Sequence, residues 1–277
     1  MSERFDTLFA GMSEETAMET LLKPPAELKN PGLKYLAATR LGACQSPESL
    51  QRLLTAGAND SDDLYERITR RKALEALGRR KDRSALPVLL AALQADDEPT
   101  VVNAADAIAR LSTPLNKEEQ TALLQALQGP DNQRRAVLQA FCRLGMNDAS
   151  GQIDHCRNDS NPLVAGAAHA YAVRVLGDQQ GLHPLVEQLR DDNPGRRRAA
   201  VIDLGDAGRI EALAALIRCP VSMPLRAKSA FQMATSQAGA IDPDATDLLK
   251  ELLQDDPRQL NLDGIPETAA DPEAIKE

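Results

Sequence analysis

The sequence contains no tryptophan and few aromatic residues of any kind. Three tyrosines and four phenylalanines make up 3% of its 277 residues, whereas hydrophobic residues as a whole make up 43%. A core of this composition must consist almost wholly of Ala, Leu, Val and Ile side chains. Such small and branched side chains are typical of closely packed pairs of helices.

Other absences narrow the class of protein. The longest apolar run, from Leu86 to Leu93, contains Pro87 and is too short to span a bilayer. Residues 1–6 lack the basic and apolar regions of a secretory signal, so we expect a cytoplasmic protein without a membrane span. The four cysteines are far apart and show no metal-ligand spacing, which predicts no metal site and a reducing compartment. They are Cys44, Cys142, Cys156 and Cys219. The sequence also has no phosphate-binding glycine loop, and we expect no permanently bound cofactor. A net charge of −9 argues against nucleic acid as a partner.

A leucine-glycine pair recurs along the chain at a nearly constant interval. The leucines are Leu41, Leu77, Leu144, Leu176 and Leu204, and Leu111 is followed by serine instead. The steps between these leucines, including Leu111, are 36, 34, 33, 32 and 28 residues. A period in this range is the signature of a helical solenoid.

Each period reads as two helices joined by a polar turn. Ser46 before Pro47 predicts the start of a first helix, and Leu64 to Leu77 forms a second helix that Gly78 is expected to end. Asn161 before Pro162 marks another helix start, because Asn accepts hydrogen bonds from free N–H groups while Pro fixes φ. The fold class is therefore all-α, a HEAT-like solenoid of about seven helix pairs. We expect it to occupy residues 1–254, with 255–277 as a flexible C-terminal tail.

The repeat also predicts which residues of the second helices share a face. Positions nine, five and two before the marker leucine lie on one helical face, and position six lies at its edge. In HEAT-like arrays the second helices usually line the inner groove. Charged and phenolic residues at these positions include Tyr35, Arg71, Lys72, Asp106, Arg135, Tyr171, Arg174 and Arg198. The sequence predicts a cationic groove, although pairing of these arginines with acids of neighbouring repeats is an equal alternative.

Two of these residues have particular chemical potential. Asp106 lies on a helix of Val, Asn, Ala and Ile, where it is either the partner of an arginine or a proton donor and acceptor. Tyr171 carries a hydroxyl group that needs a hydrogen-bond partner if it is buried.

The fifth repeat departs from the pattern in residues 154–159. Its first helix should be rich in leucine but reads Asp-His-Cys-Arg-Asn-Asp instead. A cysteine next to a histidine, here Cys156 and His155, can form a more reactive thiolate. A degenerate, partly unwound helix is the alternative.

Four stretches together resemble the HEAT-repeat bilin lyases of cyanobacteria of the E/F type, and most closely those that serve phycoerythrin. They are residues 30–42, 68–78, 131–140 and 195–205, and the likeness covers most of residues 12–237. The resemblance implies an enzyme that attaches a phycobilin through a thioether to a cysteine of a phycobiliprotein subunit.

The resemblance also supplies expectations about partners and site residues. The bilin, expected to be phycoerythrobilin, is a substrate, and the acceptor is a phycoerythrin α or β subunit, with a second lyase subunit as a further partner. Asp106 and Tyr171 take catalytic roles, while Tyr35 and the groove cations bind the bilin and its propionates. Residues 154–159 match only the His155-Cys156 core of a lyase-isomerase motif, which leaves isomerisation to phycourobilin open.

A second reading belongs to another class of protein. A non-catalytic HEAT scaffold or chaperone that binds phycobiliprotein subunits also needs a charged groove, but it needs no pigment. Binding of a bilin therefore distinguishes the two readings.

Overall fold

The computed structural model describes residues 11–147, 150–235 and 243–254. All regular secondary structure in these residues is helical, and the chain divides into two compact units, residues 1–140 and 141–277. The expected flexible tail, 255–277, lies outside the described residues, as does the N-terminal segment 1–10.

The first unit contains helices α1 to α8, of which α8 extends four residues into the second unit. Their bounds are α1 Glu14–Leu22, α2 Leu33–Leu41, α3 Pro47–Ala58, α4 Leu64–Arg80, α5 Leu86–Ala92, α6 Glu98–Leu111, α7 Lys117–Gln125 and α8 Asp131–Leu144.

The second unit continues with helices α9 to α15. These are α9 Ser150–Asp154, α10 Pro162–Tyr171, α11 Leu182–Gln188, α12 Pro194–Ala207, α13 Leu213–Arg218, α14 Met223–Ala234 and α15 Pro243–Gln254. A π-helical segment, Ala172–Leu176, follows α10 directly. Helices α1 to α14 form seven consecutive pairs, so the predicted HEAT-like α-solenoid is confirmed.

The polar turns begin the helices as the sequence predicts. The hydroxyl of Ser46 accepts a hydrogen bond from Ser49 N at 3.1 Å, and Pro47 is the first residue of α3. Asn161 Oδ1 accepts from Leu163 N at 2.9 Å, with Pro162 as the first residue of α10. Each cap satisfies a backbone donor that has no partner within its own helix.

The marker glycines divide into two groups with different physical roles. Gly145 and Gly177 have φ of +67° and +73°, so they end helical segments in the left-handed conformation that glycine tolerates. Gly78 instead lies inside α4, which continues to Arg80 and ends at Lys81 with φ of +55°. The prediction that Gly78 ends its helix is therefore wrong.

Gly78 is a contact point between consecutive second helices. A Cβ atom built on Gly78 would lie 2.6 Å from Cα of Ala107 on α6, far inside van der Waals contact. The same holds for Gly205 of α12, whose Cβ would lie 2.9 Å from Cβ of Ser229 on α14. Glycine at these positions lets the backbones of neighbouring second helices approach each other closely.

A buried ion pair ties the first two repeats together. The Lys34 side chain, 4% exposed, donates from Nζ to the carbonyl oxygens of Leu21 at 3.1 Å and Lys23 at 2.7 Å. It also contacts Glu66 Oε1 at 2.6 Å. One ammonium group therefore satisfies carbonyls at the end of α1 and joins them to α4, because a cation interacts favourably with a helix C-terminus.

We expect Gly78→Ala to lower the free energy of unfolding by about 1–3 kcal/mol, because the added methyl group forces α4 and α6 apart. Urea denaturation measures the change. Gly151→Ala is the matched control: Gly151 is also helical, but a Cβ there has no described atom within 4 Å. That control should be neutral or stabilising by up to about 1 kcal/mol. Equal midpoints for Gly78→Ala and the wild type would contradict the close-contact role.

Candidate functional site

In the first unit, helices α6 and α8 line a cleft of about 390 Å³. Its lining residues are Glu98, Pro99, Val102, Asn103, Asn132, Arg135, Ala136 and Gln139. Val102, Arg135 and Gln139 occupy positions nine or five before the marker leucine, so the predicted face of these two second helices does line a cavity. One guanidinium, one carboxylate and three carboxamides here stand beside apolar walls, a composition typical of small-molecule sites.

Asp106 lies on the same face of α6, one helical turn beyond Val102 and Asn103. Its Oδ2 accepts a hydrogen bond from Nε of Arg110 at 2.6 Å, and the two side chains are 30% and 42% exposed. Of the two roles the sequence allowed, the structure shows the ion pair. The partly exposed carboxylate remains accessible, so its catalytic role stays a prediction.

Arg71 forms an ion pair with Asp97 within the first unit. Its Nε donates to Asp97 Oδ2 at 2.9 Å and its Nη2 contacts Asp97 Oδ1, while Arg67 Nη2 donates to the same Oδ1 at 2.8 Å. Asp97 also caps α6 by accepting from Thr100 N at 3.0 Å. Hydrogen bonds from Arg71, Thr100 and Arg67 hold the pKa of Asp97 well below its usual range. The Arg71 guanidinium therefore joins α4 to the start of α6, which is the alternative of pairing with an acid, and its role in substrate binding stays a prediction.

Two further candidates of the first unit lie nearer the solvent. Lys72 forms an ion pair of 2.7 Å with Glu75, one turn along α4, and its side chain is 40% exposed. Tyr35 on α2 is 38% exposed. The structure leaves both available for a ligand, and their roles remain predictions.

In the second unit, Tyr171 is a core residue. It is 1% exposed, and its hydroxyl donates to the carbonyl oxygen of Met146 at 2.7 Å. The structure therefore places Tyr171 in the core and not on an open groove, and its catalytic role stays a prediction. The sequence placed it correctly on a helix, but repeats with the same spacing can differ in which side of that helix is covered.

Arg174 and Arg198 are both exposed. Arg174 lies in the π-helical segment, where Nη1 donates to the carbonyl oxygen of Asp206 at 3.0 Å. Arg198 lies in α12. This exposure is compatible with binding of a substrate, and that role stays a prediction for both residues.

The unusual 154–159 segment contains a short, interrupted helix. Helix α9 has five residues, and His155–Asn158 continues as a 3-10 turn. This confirms the degenerate helix that was the alternative reading. Arg157 joins the segment to Asp178 through an ion pair of 2.7 Å. His155 is exposed and Cys156 half-buried, with Sγ 4.0 Å from the carbonyl oxygen of Gln152.

The other three cysteines are buried thiols. Burial raises the pKa of Cys44, and it raises that of Cys219 to about 11. Burial, with the neighbouring Asp206 charge, raises the pKa of Cys142 even further. Because the thiolate is the nucleophilic form, none of these three is suited to attack a substrate at neutral pH.

A buried carboxylate that the repeat pattern did not indicate, Asp206, connects helices of the second unit. Asp206 is 1% exposed, and its Oδ1 accepts from Arg143 Nε and from Gln232 Nε2, each at 2.9 Å. These bonds join α8, α12 and α14. Helical spacing gave a weak signal, since Asp203 and Asp206 are three residues apart on a helix otherwise rich in apolar residues. Burial of both acids depends on the neighbouring helices.

Within the described residues no helix is long and apolar enough to cross a membrane. The same part of the chain contains no cluster of three or more His, Cys, Asp or Glu residues suited to hold a metal ion.

The helix pairs and the repeat pattern define a HEAT-like α-solenoid, and residues 65–142 match the sequence model of HEAT repeats. The chain is 29% identical over 265 residues to the uncharacterized phycocyanin operon protein Y of Pseudanabaena tenuis, covering 95% of this chain and 63% of that protein. It is 31% identical over 158 residues to the bilin biosynthesis protein PecE of a Nostoc species, covering 57% and 62%. The chain thus spans just over three fifths of the length of these two relatives.

A solved structure has a similar fold. It is the complex of CpcE and CpcF of phycocyanin lyase from a Nostoc species, matched with a TM-score of 0.74 at 23% identity. The match covers 87% of this chain and 95% of the chain in that complex. At this identity the likeness establishes the shared helical architecture.

We expect Asp97→Asn to lower the free energy of unfolding at pH 7 by about 1–3 kcal/mol, because it weakens a helix cap and two charged hydrogen bonds. The pKa of Asp97 is lowered by folding, so its contribution is complete above the unfolded value of about 3.9 and declines as the pH falls below it. Denaturation at several pH values should show the two proteins converging in acid. Asp62→Asn, at an exposed turn position, is the control. A difference independent of pH would contradict this account.

Tyr171→Phe should cost about 1 kcal/mol of stability by leaving the Met146 carbonyl without its donor. Because the hydroxyl is buried, binding of any ligand should change by less than twofold. Thermal unfolding and ligand titration measure the two effects. A large loss of ligand binding with unchanged stability would instead support the predicted role of Tyr171 in the site.

Proposed function

We propose that this chain is a subunit of a bilin lyase, which attaches an open-chain tetrapyrrole to a cysteine of a phycobiliprotein. The relatives support the proposal: two carry names from phycocyanin genes and bilin biosynthesis, and the structural neighbour is a phycocyanin lyase complex. The observation that carries it is the combination of this likeness along most of the chain with a mixed polar and apolar cleft between α6 and α8.

The chemistry of the cleft suits the chemistry of a bilin. A bilin is long and apolar along its rings, with two propionate carboxylates and four pyrrole-type nitrogens. Val102, Pro99 and Ala136 offer apolar contact for a ring. Arg135 offers a charge-assisted hydrogen bond to a propionate, and the exposed Lys72, Arg174 and Arg198 offer further cationic contacts outside the cleft.

In the proposed reaction the acceptor protein supplies the nucleophile. Its thiolate adds to the ethylidene group of ring A, so a carbon–sulfur bond forms, the carbon–carbon π bond breaks and a proton is added to the adjacent ring carbon. Asp106 is proposed to stabilise the protonated pyrrole system or to relay this proton. The raised thiol pKa values of Cys44, Cys142 and Cys219 accord with a lyase that contributes no thiol of its own.

The finer assignments rest on the resemblance in residues 30–42, 68–78, 131–140 and 195–205. They are phycoerythrobilin as the bilin, a phycoerythrin subunit as the acceptor, and a second lyase chain as a partner. The reducing cytosol is the proposed compartment, since the acceptor thiol must stay reduced. His155 and Cys156 are the residues to examine if the product contains phycourobilin.

The test is chromophore transfer in cells that co-express this chain, a bilin-producing pathway and single phycobiliprotein subunits. Separate arms supply phycoerythrobilin or phycocyanobilin, phycoerythrin or phycocyanin subunits, and a second lyase chain or none. We expect a covalent adduct that survives denaturation, and its absorbance identifies the bilin. Binding to the subunits without a spectral change or an adduct would support the non-catalytic scaffold instead.

We expect Asp106→Asn to slow adduct formation by about a hundredfold, the usual effect of losing a general acid or base. Arg110→Gln is the matched control, because it breaks the same ion pair but keeps the carboxylate. Initial rates of transfer at saturating bilin measure the effect. Equal losses in both variants, or none in Asp106→Asn, would remove Asp106 from the mechanism.

A further inference from the structure

Glu98 has an unusual environment at the entrance of the α6–α8 cleft. It is the first residue of α6, follows the cap residue Asp97, and lines the cleft together with Arg135. It also lines a second, polar cavity of about 550 Å³ beside the turn at residues 60–62. Glu98 thus lies where two cavities of the first unit meet.

One oxygen of Glu98 is shielded from solvent without a donor. Oε1 is buried and accepts no hydrogen bond from any described residue. Desolvating a carboxylate oxygen is costly unless an N–H or O–H group replaces the lost water. The favourable position of an acid in the first turn of a helix explains why Glu98 is tolerated there. It does not explain a carboxylate oxygen buried without a partner.

The surroundings of Glu98 indicate which kind of donor is missing. Neighbouring groups in the cleft are the carboxamides of Asn103, Asn132 and Gln139, beside the apolar surfaces of Pro99 and Val102. An apolar molecule that carries N–H groups fits this combination, because its rings contact the apolar walls while its donors reach the carboxylate. Rotation of the Glu98 side chain toward the cleft breaks no hydrogen bond at Oε1.

We propose that Glu98 binds the pyrrole N–H groups of the bilin in the α6–α8 cleft. This inference rests on the proposed function and adds a residue that the repeat pattern did not indicate. Glu98 acts in binding, by accepting hydrogen bonds and favouring a protonated pyrrole system, whereas Asp106 acts in the proton transfer. Arg135 in the same cleft pairs with a propionate, so the two charged residues bind opposite kinds of group.

The experiment is titration of the purified full-length chain with phycoerythrobilin, followed by absorbance and fluorescence. We expect Glu98→Gln to raise the dissociation constant by about tenfold, the effect of one charge-assisted hydrogen bond. We also expect it to lower the pKa of the bound chromophore by about one unit, since a nearby negative charge stabilises the protonated form. A pH titration of the bound pigment measures this shift.

Glu118→Gln is the matched control, because Glu118 also lies in the first turn of a helix, α7, but is exposed. Thermal unfolding of both variants shows whether either has lost its fold. The dimethyl ester of the bilin, which lacks free propionates but keeps its N–H groups, provides a second control. The loss caused by Glu98→Gln should persist with the ester.

The outcomes separate this inference from the proposed function. If the wild type binds no bilin, both the proposed lyase function and the role of Glu98 are overturned. If the wild type binds bilin but Glu98→Gln binds equally well and its pigment titrates at the same pH, only the role of Glu98 is overturned. A loss in Glu98→Gln that disappears with the ester would overturn the assignment to N–H groups.

Discussion

The close approach of consecutive second helices is the constraint on which the described units depend. It requires residues with almost no side chain at the crossing points, such as Gly78 against Ala107 in the first unit and Gly205 against Ser229 in the second. Alanines of the second helices, among them Ala104, Ala105 and Ala168, are also completely buried. Small residues allow extensive backbone contact, so a core with few aromatic side chains is still densely packed. The scarcity of aromatics in the sequence is a consequence of this packing.

Charged side chains connect the helices where small residues bring them together. Asp97 accepts hydrogen bonds from Arg67 and Arg71 of α4 while it caps α6. Asp206 of α12 accepts hydrogen bonds from Arg143 of α8 and Gln232 of α14. These acids use arginines that would otherwise be free to bind a ligand. The cations that remain exposed, such as Arg174 and Arg198, are the ones that a carboxylate substrate can reach. Internal ion pairing therefore determines which of the arginine and lysine side chains are available for function.

The repeat spacing predicts only part of the candidate site. Counting back from the marker leucines placed Val102, Arg135 and Gln139 on one face, and that face does line a cleft. The same spacing placed Tyr171 and Arg71 on this face. Tyr171 is buried and hydrogen-bonded to the Met146 carbonyl, and Arg71 is paired with Asp97. The spacing omitted Glu98, because that residue precedes the counted positions and lies in the helix's first turn. Spacing determines the direction in which a side chain leaves its own helix. It does not determine which residues of other segments bury that side chain.

The sequence alone determined the helix pairs, their starts at Ser46-Pro47 and Asn161-Pro162, and the solenoid class. These features follow from local rules, namely caps, proline geometry and periodic apolar residues, which act within a few residues of the chain. Only the tertiary structure decided that Gly78 is a packing residue, that Tyr171 is in the core, and that Glu98 borders a cleft. Those properties depend on atoms of residues 25 or more positions away along the chain, and no local pattern specifies the distance between such segments.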